Sequence, residues 1–126
     1  MHRSRLSTVL IDTPIEEAAA SASFWSAALG VPAVPGIDEP QYTSLRNVHP
    51  DFTFSIQSVD DSPRYHFDIE TDDVLAETAR LVALGAVEVH RWLDCHTLRV
   101  PGGQLVCVIP RHSDPEIFAR LSKEWV

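Results

Sequence analysis

The chain has 126 residues, enough for one domain with its own core. Its apolar fraction of 44% and charged fraction of 22% are those of an ordinary globular protein. Ten Lys and Arg against eighteen Asp and Glu leave a formal net charge of −8, which argues against sequence-independent binding to DNA, RNA or an anionic membrane, since each needs a basic face.

STVLID (7–12) carries the apolar, β-branched pattern of a strand. Thr13-Pro14-Ile15-Glu16 then reads as a helix start, with Thr13 as cap, Pro14 in the first helical position and Glu16 completing a capping box. Ile15, Ala18, Ala22, Trp25 and Leu29 recur at helical spacing and predict one apolar stripe, closed by Gly30. The link VPAVPGIDEPQ leads to strand material in YTSLRN (42–47) and FTFSIQSV (52–59), enough for two or three strands. RYHFDIE (64–70) opens the next strand. Thr71 to Asp73 offer caps for a helix carrying Val74, Leu75, Thr78, Leu81 and Val82, ended by Gly85. Strands follow at 87–92, 95–100 and 105–110, the last two joined by the hairpin signal PGGQ. Ser113-Asp114-Pro115-Glu116 begins a short terminal helix expected to bury Ile117, Phe118 and Leu121.

ALGV at 28–31 recurs as ALGAV at 83–87, each time closing a strand–helix pair that further strands follow. The order β-α-β-β-β is therefore written twice. The chain reads as one α+β domain over residues 1–126, with module one at 6–60, module two at 63–110 and a terminal helix at 113–125. Two cysteines are too few for a disulfide framework. The opening MHRSRLSTVLIDTP lacks the apolar core of a signal peptide, and no run approaches the roughly 20 residues of a membrane span. A cytoplasmic protein with no membrane or nucleic-acid partner is the expectation.

In RYHFDIE, Arg64, His66 and Asp68 alternate and share one face, while Tyr65, Phe67 and Ile69 take the other and are expected beneath the helices. Charges on a partly buried face need partners, so an Arg–Asp or His–Asp pairing is expected. An Asp68 that orients His66 would make the imidazole a general base near neutral pH. The competing reading is a polar cluster that neutralises itself. Tyr42, Trp92 and His96 lie on strands expected to line or edge the same face, where rings suit a flat organic ligand. Trp25 reads as core, and His2, His49, His90 and His112 as solvated. No nucleophile elbow, P-loop, Rossmann glycine pattern or HExxH is present.

FWSAALGV in module one, RYHFDIETDD and LVALGAVEV in module two, and the closing VPGGQLVCVIP resemble the vicinal oxygen chelate superfamily, the glyoxalase/bleomycin resistance/dioxygenase group, and within it the glyoxalase-like domain subfamily. The resemblance covers residues 6–110. It implies two βαβββ modules forming a curved, cup-shaped mixed sheet, a small-molecule ligand in the cup, and a homodimer. Metal-dependent members place ligands on the first and last strands of each module. Those positions fall here on Thr8, Gln57, His66 and Cys107. Thr8 is a poor ligand, Gln57 a weak one and His66 a good one; Cys107, where a Glu is usual, could bind zinc. Val100 stands where an aspartate often opens the last hairpin. A divalent metal is therefore disfavoured and no cofactor is expected.

The resulting expectation is a glyoxalase-like protein that binds a small organic molecule, with Arg64, His66 and Asp68 as a catalytic row for lyase or isomerase chemistry. Thr8, Tyr42, Gln57, Trp92, His96 and Cys107 would line the ligand. One alternative is a non-catalytic drug- or metabolite-binding resistance protein. Another is a metal-dependent glyoxalase or dioxygenase using His66, Gln57 and Cys107. Fold alone does not choose between them. A hairpin centred on Gly102-Gly103 sets Cys107 near Leu98 and leaves Cys95 near Pro110, so a Cys95–Cys107 disulfide is not expected.

Overall fold

The duplicated order is visible in the strand pairing. A computed structural model describes all 126 residues as nine strands and three helices, an α+β chain that divides into two compact units. The first unit is residues 8–66; the second is residues 1–7 together with 67–126. Strands β1 (His2–Pro14) and β5 (Arg64–Thr71) contribute to both.

In the first unit, β1 runs parallel to β4 (Thr53–Val59), which pairs antiparallel with β3 (Tyr42–Leu45), which pairs with β2 (Ala33–Pro35). Helix α1 (Ala18–Leu29) packs over β2, β3 and β4. In the second unit, β5 runs parallel to β8 (Leu105–Pro110), followed by β7 (Cys95–Arg99) and β6 (Val87–Trp92). Helix α2 (Val74–Ala83) packs over β6, β7 and β8. Each unit thus pairs its first strand with its last and ends on the strand that follows its helix. Module one completes its three post-helix strands with β2, inside the Pro-rich link, and 42–59 holds only two strands. Pro35 is tolerated because β2 is an edge strand.

The predicted capping box at Thr13 does not form. The chain stays extended through Pro14, whose register partner is Val59, then makes one 3-10 turn at Ile15–Glu17 before α1. The Thr13 hydroxyl donates back to the Ile11 carbonyl instead of capping. The other helix signals hold. Gly30 ends α1 at φ 68°, a conformation in which a Cβ is disfavoured. Asp73 caps α2 by accepting from the Ala76 amide. The terminal helix α3 (Pro115–Leu121) is shorter than expected and buries Phe118. The chain then forms β9 (Lys123–Trp125), where a helix was expected to continue; it pairs antiparallel with residues 2–4.

The second unit's core gathers Ala86, Leu98, Val106 and Val108, with Ile69, Val74, Leu81 and Val100 against it. In the first unit Leu10, Leu45 and Ile56 are buried. Tyr65 and Phe67 do not join a core, contrary to what alternation suggests: they are 62% and 48% exposed. Helix α2 covers β6 to β8, so of that face of β5 only Ile69 packs into the core.

Glu77 on α2 ties the chain ends of the second unit together. Its carboxylate is fully buried and accepts from His2 at 2.7 Å, from the Ser4 hydroxyl at 2.7 Å and twice from Arg80 at 2.8 Å. The Arg80 guanidinium stacks 3.7 Å from the Trp125 ring centroid, and the Trp125 indole donates to Ser4. Burial pushes the Glu77 carboxyl up, but hydrogen bonds from Arg80, His2 and Ser4 outweigh it and hold the group below its ordinary 4.5. A carboxyl depressed on folding stabilises the native state above its unfolded value, and that stability is lost as pH falls through the folded value. Glu77→Gln is therefore expected to lower the free energy of urea unfolding by about 3 kcal/mol at pH 7. The deficit should shrink once acid has protonated the wild-type carboxylate.

Candidate functional site

Asp12 is the centre of the first unit's polar face. It is 3% exposed, near the end of β1, where the pairing with β4 sets it opposite Gln57. Its Oδ2 lies 2.7 Å from Nδ1 of His66 and accepts from Arg64 Nε at 3.4 Å. Its Oδ1 is buried and has no hydrogen-bond partner. The imidazole of His66 is nearly enclosed, its side chain 9% exposed. The His–Asp pairing expected from alternation thus exists, but the carboxylate on Nδ1 is Asp12, which sequence reasoning did not single out. The available signal was a carboxylate within the apolar run VLID, on the same strand face as Thr8 and Leu10.

Arg64 is held twice. Its Nη1 donates to Asp61 at 2.9 Å, and its Nε to Asp12. The Ser62 backbone amide and then Arg64 hold the Asp61 carboxyl below its ordinary value. With a partly exposed side chain anchored at both ends, Arg64 orients Asp12. Tyr42, Gln57 and Asp12 are successive register partners on β3, β4 and β1, so they share a sheet face. Gln57 Nε2 donates to the Tyr42 hydroxyl at 3.4 Å. Thr8 lies buried on the same face of β1, opposite Thr53.

The remaining candidates belong to the second unit. Asp68 and Cys107 are register partners on β5 and β8, and Thr97 faces Cys107 from β7, its hydroxyl 3.4 Å from the sulfur. Cys95 lies on the same side of β7 as Thr97. Neither thiol forms a disulfide, and Cys107 pairs with Thr97 rather than with Leu98, one position nearer Cys95 than the hairpin count suggested. A hydrogen bond with Cys107 holds the Cys95 thiol below its ordinary 9.0, against burial and the charge of Asp68, which push it up. His96 alternates with these residues and turns the other way. It is 3% exposed beneath α2, with Nδ1 2.9 Å from the Thr78 hydroxyl, so it belongs to the core side. Trp92, on edge strand β6, is 63% exposed.

The donor set speaks directly to a metal. Of the four positions that metal-dependent relatives use, Thr8 offers only a hydroxyl, Gln57 points its amide at Tyr42, and Cys107 replaces a carboxylate. Good donor types remain at His66, Asp68 and Cys107. The four positions do not fit the usual oxygen-rich site.

Residues 8–109 match the family profile of the Glyoxalase-like domain. Among solved structures, hypothetical protein BH1468 from Bacillus halodurans C-125 is similar at a TM-score of 0.64 and 10% identity, over 88% of this chain and 96% of that one. Methylmalonyl-CoA epimerase from Mycobacterium tuberculosis is similar at 0.60 and 16%, over 86% and 88%. A variant of the Streptomyces coelicolor methylmalonyl-CoA epimerase, in complex with 2-nitronate-propionyl-CoA, gives 0.57 and 14%, over 86% and 95%. At these identities the likeness is one of fold. No curated protein matches the chain. No helix is long and apolar enough to cross a membrane.

A carboxylate on Nδ1 fixes the imidazole tautomer. Nitrogen NMR at a pH where His66 is neutral should therefore find the proton on Nδ1 and a bare Nε2. In Asp12→Asn, whose amide can donate to Nδ1 instead, that preference should be lost.

Proposed function

The chain belongs to the Glyoxalase-like domain family of the vicinal oxygen chelate superfamily, and from that premise we propose that it binds a small organic molecule on the sheet face bearing Tyr42, Gln57 and Asp12, where His66 acts as a general base. The observation that carries this reading is the 2.7 Å contact between Asp12 Oδ2 and His66 Nδ1. With Nδ1 donating to a buried carboxylate, Nε2 carries the basic lone pair of the ring, and the imidazolium formed when it takes a proton is neutralised in place. Asp12 and Arg64 are positioning residues in this scheme. The Tyr42 hydroxyl and the Gln57 amide supply the few polar fixtures that orient a ligand. Thr8 completes the proposed lining within this unit; His96, on the core side of the second unit, drops out.

The chemistry we propose is proton removal from an acidic carbon, the common first step of isomerases and of many lyases. The epimerases among the similar structures support that class, since inverting a carbon centre next to a carbonyl requires a base, but they do not identify the substrate. The reading requires no metal. We include in it a cytoplasmic setting and a homodimer. The exposed Val87, Val89 and Trp92 on edge strand β6 support the dimer.

The test is deuterium incorporation from heavy water into a panel of acyl-CoA thioesters and 2-substituted carbonyl acids, followed by proton NMR. His66→Ala should slow exchange of the accepted compound by roughly 10²- to 10⁴-fold while the chain still folds cooperatively. Equal exchange by wild type and variant would refute the assignment of the base.

A further inference from the structure

A cleft of about 610 Å³ opens on the helix side of the first unit, within the size range of small-molecule sites. We propose that it is a second binding site, and that it takes a small, planar organic cation bearing N–H groups. The cleft is distinct from the face that carries Gln57 and Tyr42. It is walled by α1, by Ile11 and Thr13, and by Tyr65; these strand residues alternate with Asp12 and His66 and so point to the opposite side of the sheet. Asp12 and Arg64 stand at the border of the two: they hold each other beside His66 and are also among the residues around the cleft.

Two properties of the walls set the ligand class. The first is exposed aromatic surface. Phe24 and Tyr65 are each 62% exposed, and Trp25 meets Phe24 edge to face, with ring centroids 5.3 Å apart. Rings left this open offer their faces to an occupant, and a ring face attracts positive charge. The second is the sign of the field. Glu16, Glu17 and Asp12 line the cleft, against one guanidinium, Arg64. That guanidinium is already bound to Asp61 and Asp12, whereas Glu16 and Glu17 form no ion pair. The start of α1 would by itself favour an anion, but the two glutamates beside it reverse the sign. Glu16 and Glu17 also supply the acceptors that N–H groups on such a cation would meet. An anion would be repelled here, a neutral ring would gain only stacking, and a flexible polyamine only charge. A flat cation gains both.

The test uses the intact chain and isothermal titration at low ionic strength. The probes are 4-aminoquinolinium, the neutral planar 1-methyl-2-quinolone, and spermidine as a non-planar cation. The quinolinium should bind saturably at one site, at least about ten-fold tighter than either comparison compound. Phe24→Ala and Tyr65→Ala, both at exposed positions, should unfold like wild type and weaken quinolinium binding by about three- to thirty-fold each. The double variant Glu16→Gln, Glu17→Gln should weaken it and flatten its salt dependence. His66→Gln should bind it undiminished, which separates this site from the general-base reading. Quinolinium bound no tighter than quinolone would overturn the proposal. So would binding that survives loss of Phe24 and Tyr65, or that vanishes with His66.

Discussion

A buried carboxylate must be compensated, and this chain buries three of them, each settled differently. Glu70 and Glu77 are fully enclosed and saturated. Glu70 accepts on one oxygen from the His112 and Ser113 amides, and on the other from Arg5 and the Ser113 hydroxyl. Glu77 takes four donors from His2, Ser4 and Arg80. Asp12 is also buried, yet both of its donors crowd one oxygen while the other has none. Saturation is what a structural anchor requires, because every unmade bond costs stability. An anchor left half-made is instead the sign of a group retained for something it does.

The duplicated module explains where these groups sit. Each copy leads with a strand flanked by apolar residues, and each leading strand carries polar residues where a core strand would have hydrophobes: Thr8 and Asp12 in the first, His66, Asp68 and Glu70 in the second. Helices cover one side of each unit's sheet, and polar residues buried on the other side, such as Asp12 and Glu70, are compensated by partners there. In the second unit, the buried side beneath α2 collects Leu98, Val106 and Val108, and His96 is tolerated there because Thr78 satisfies it. The helix-covered face of each unit thus holds its core, while the other face carries both the Glu70 anchor and the polar residues of the proposed site.

Much of this was legible in the sequence. Period-two alternation placed Arg64, His66 and Asp68 on one face, and the repeated ALG glycines marked both helix ends. What escaped was set by tertiary register. Asp12 meets His66 across 54 positions of chain, and no local pattern encodes that pairing. The capping box at Thr13 failed because strand pairing out to Pro14 won over a local helix preference. Tyr65 and Phe67 alternate as core residues should, but alternation names a face without saying how far a helix extends over it. The strand at Lys123–Trp125 is too short to announce itself, and forms only because residues 2–4 offer it an edge.

Acidity is the thread between the two functional readings. A net charge of −8 would be consistent with a merely solvated surface, yet the charges are unevenly committed. Glu70, Glu77 and Glu88 are matched by Arg5, Arg80 and Arg91, and Asp61 by Arg64. Once these pairs are set aside, the first unit keeps unmatched carboxylates at Glu16 and Glu17 beside exposed rings, and a half-matched one at Asp12 beside an imidazole. Uncompensated negative charge next to apolar surface is unfavourable for folding and favourable for capturing a cation. The same charge next to an imidazole orients the ring and offsets the charge that proton removal would place on it. One excess of acid, distributed over two faces of a sheet, thereby underlies both the proposed cation site on one side and the proposed general base on the other.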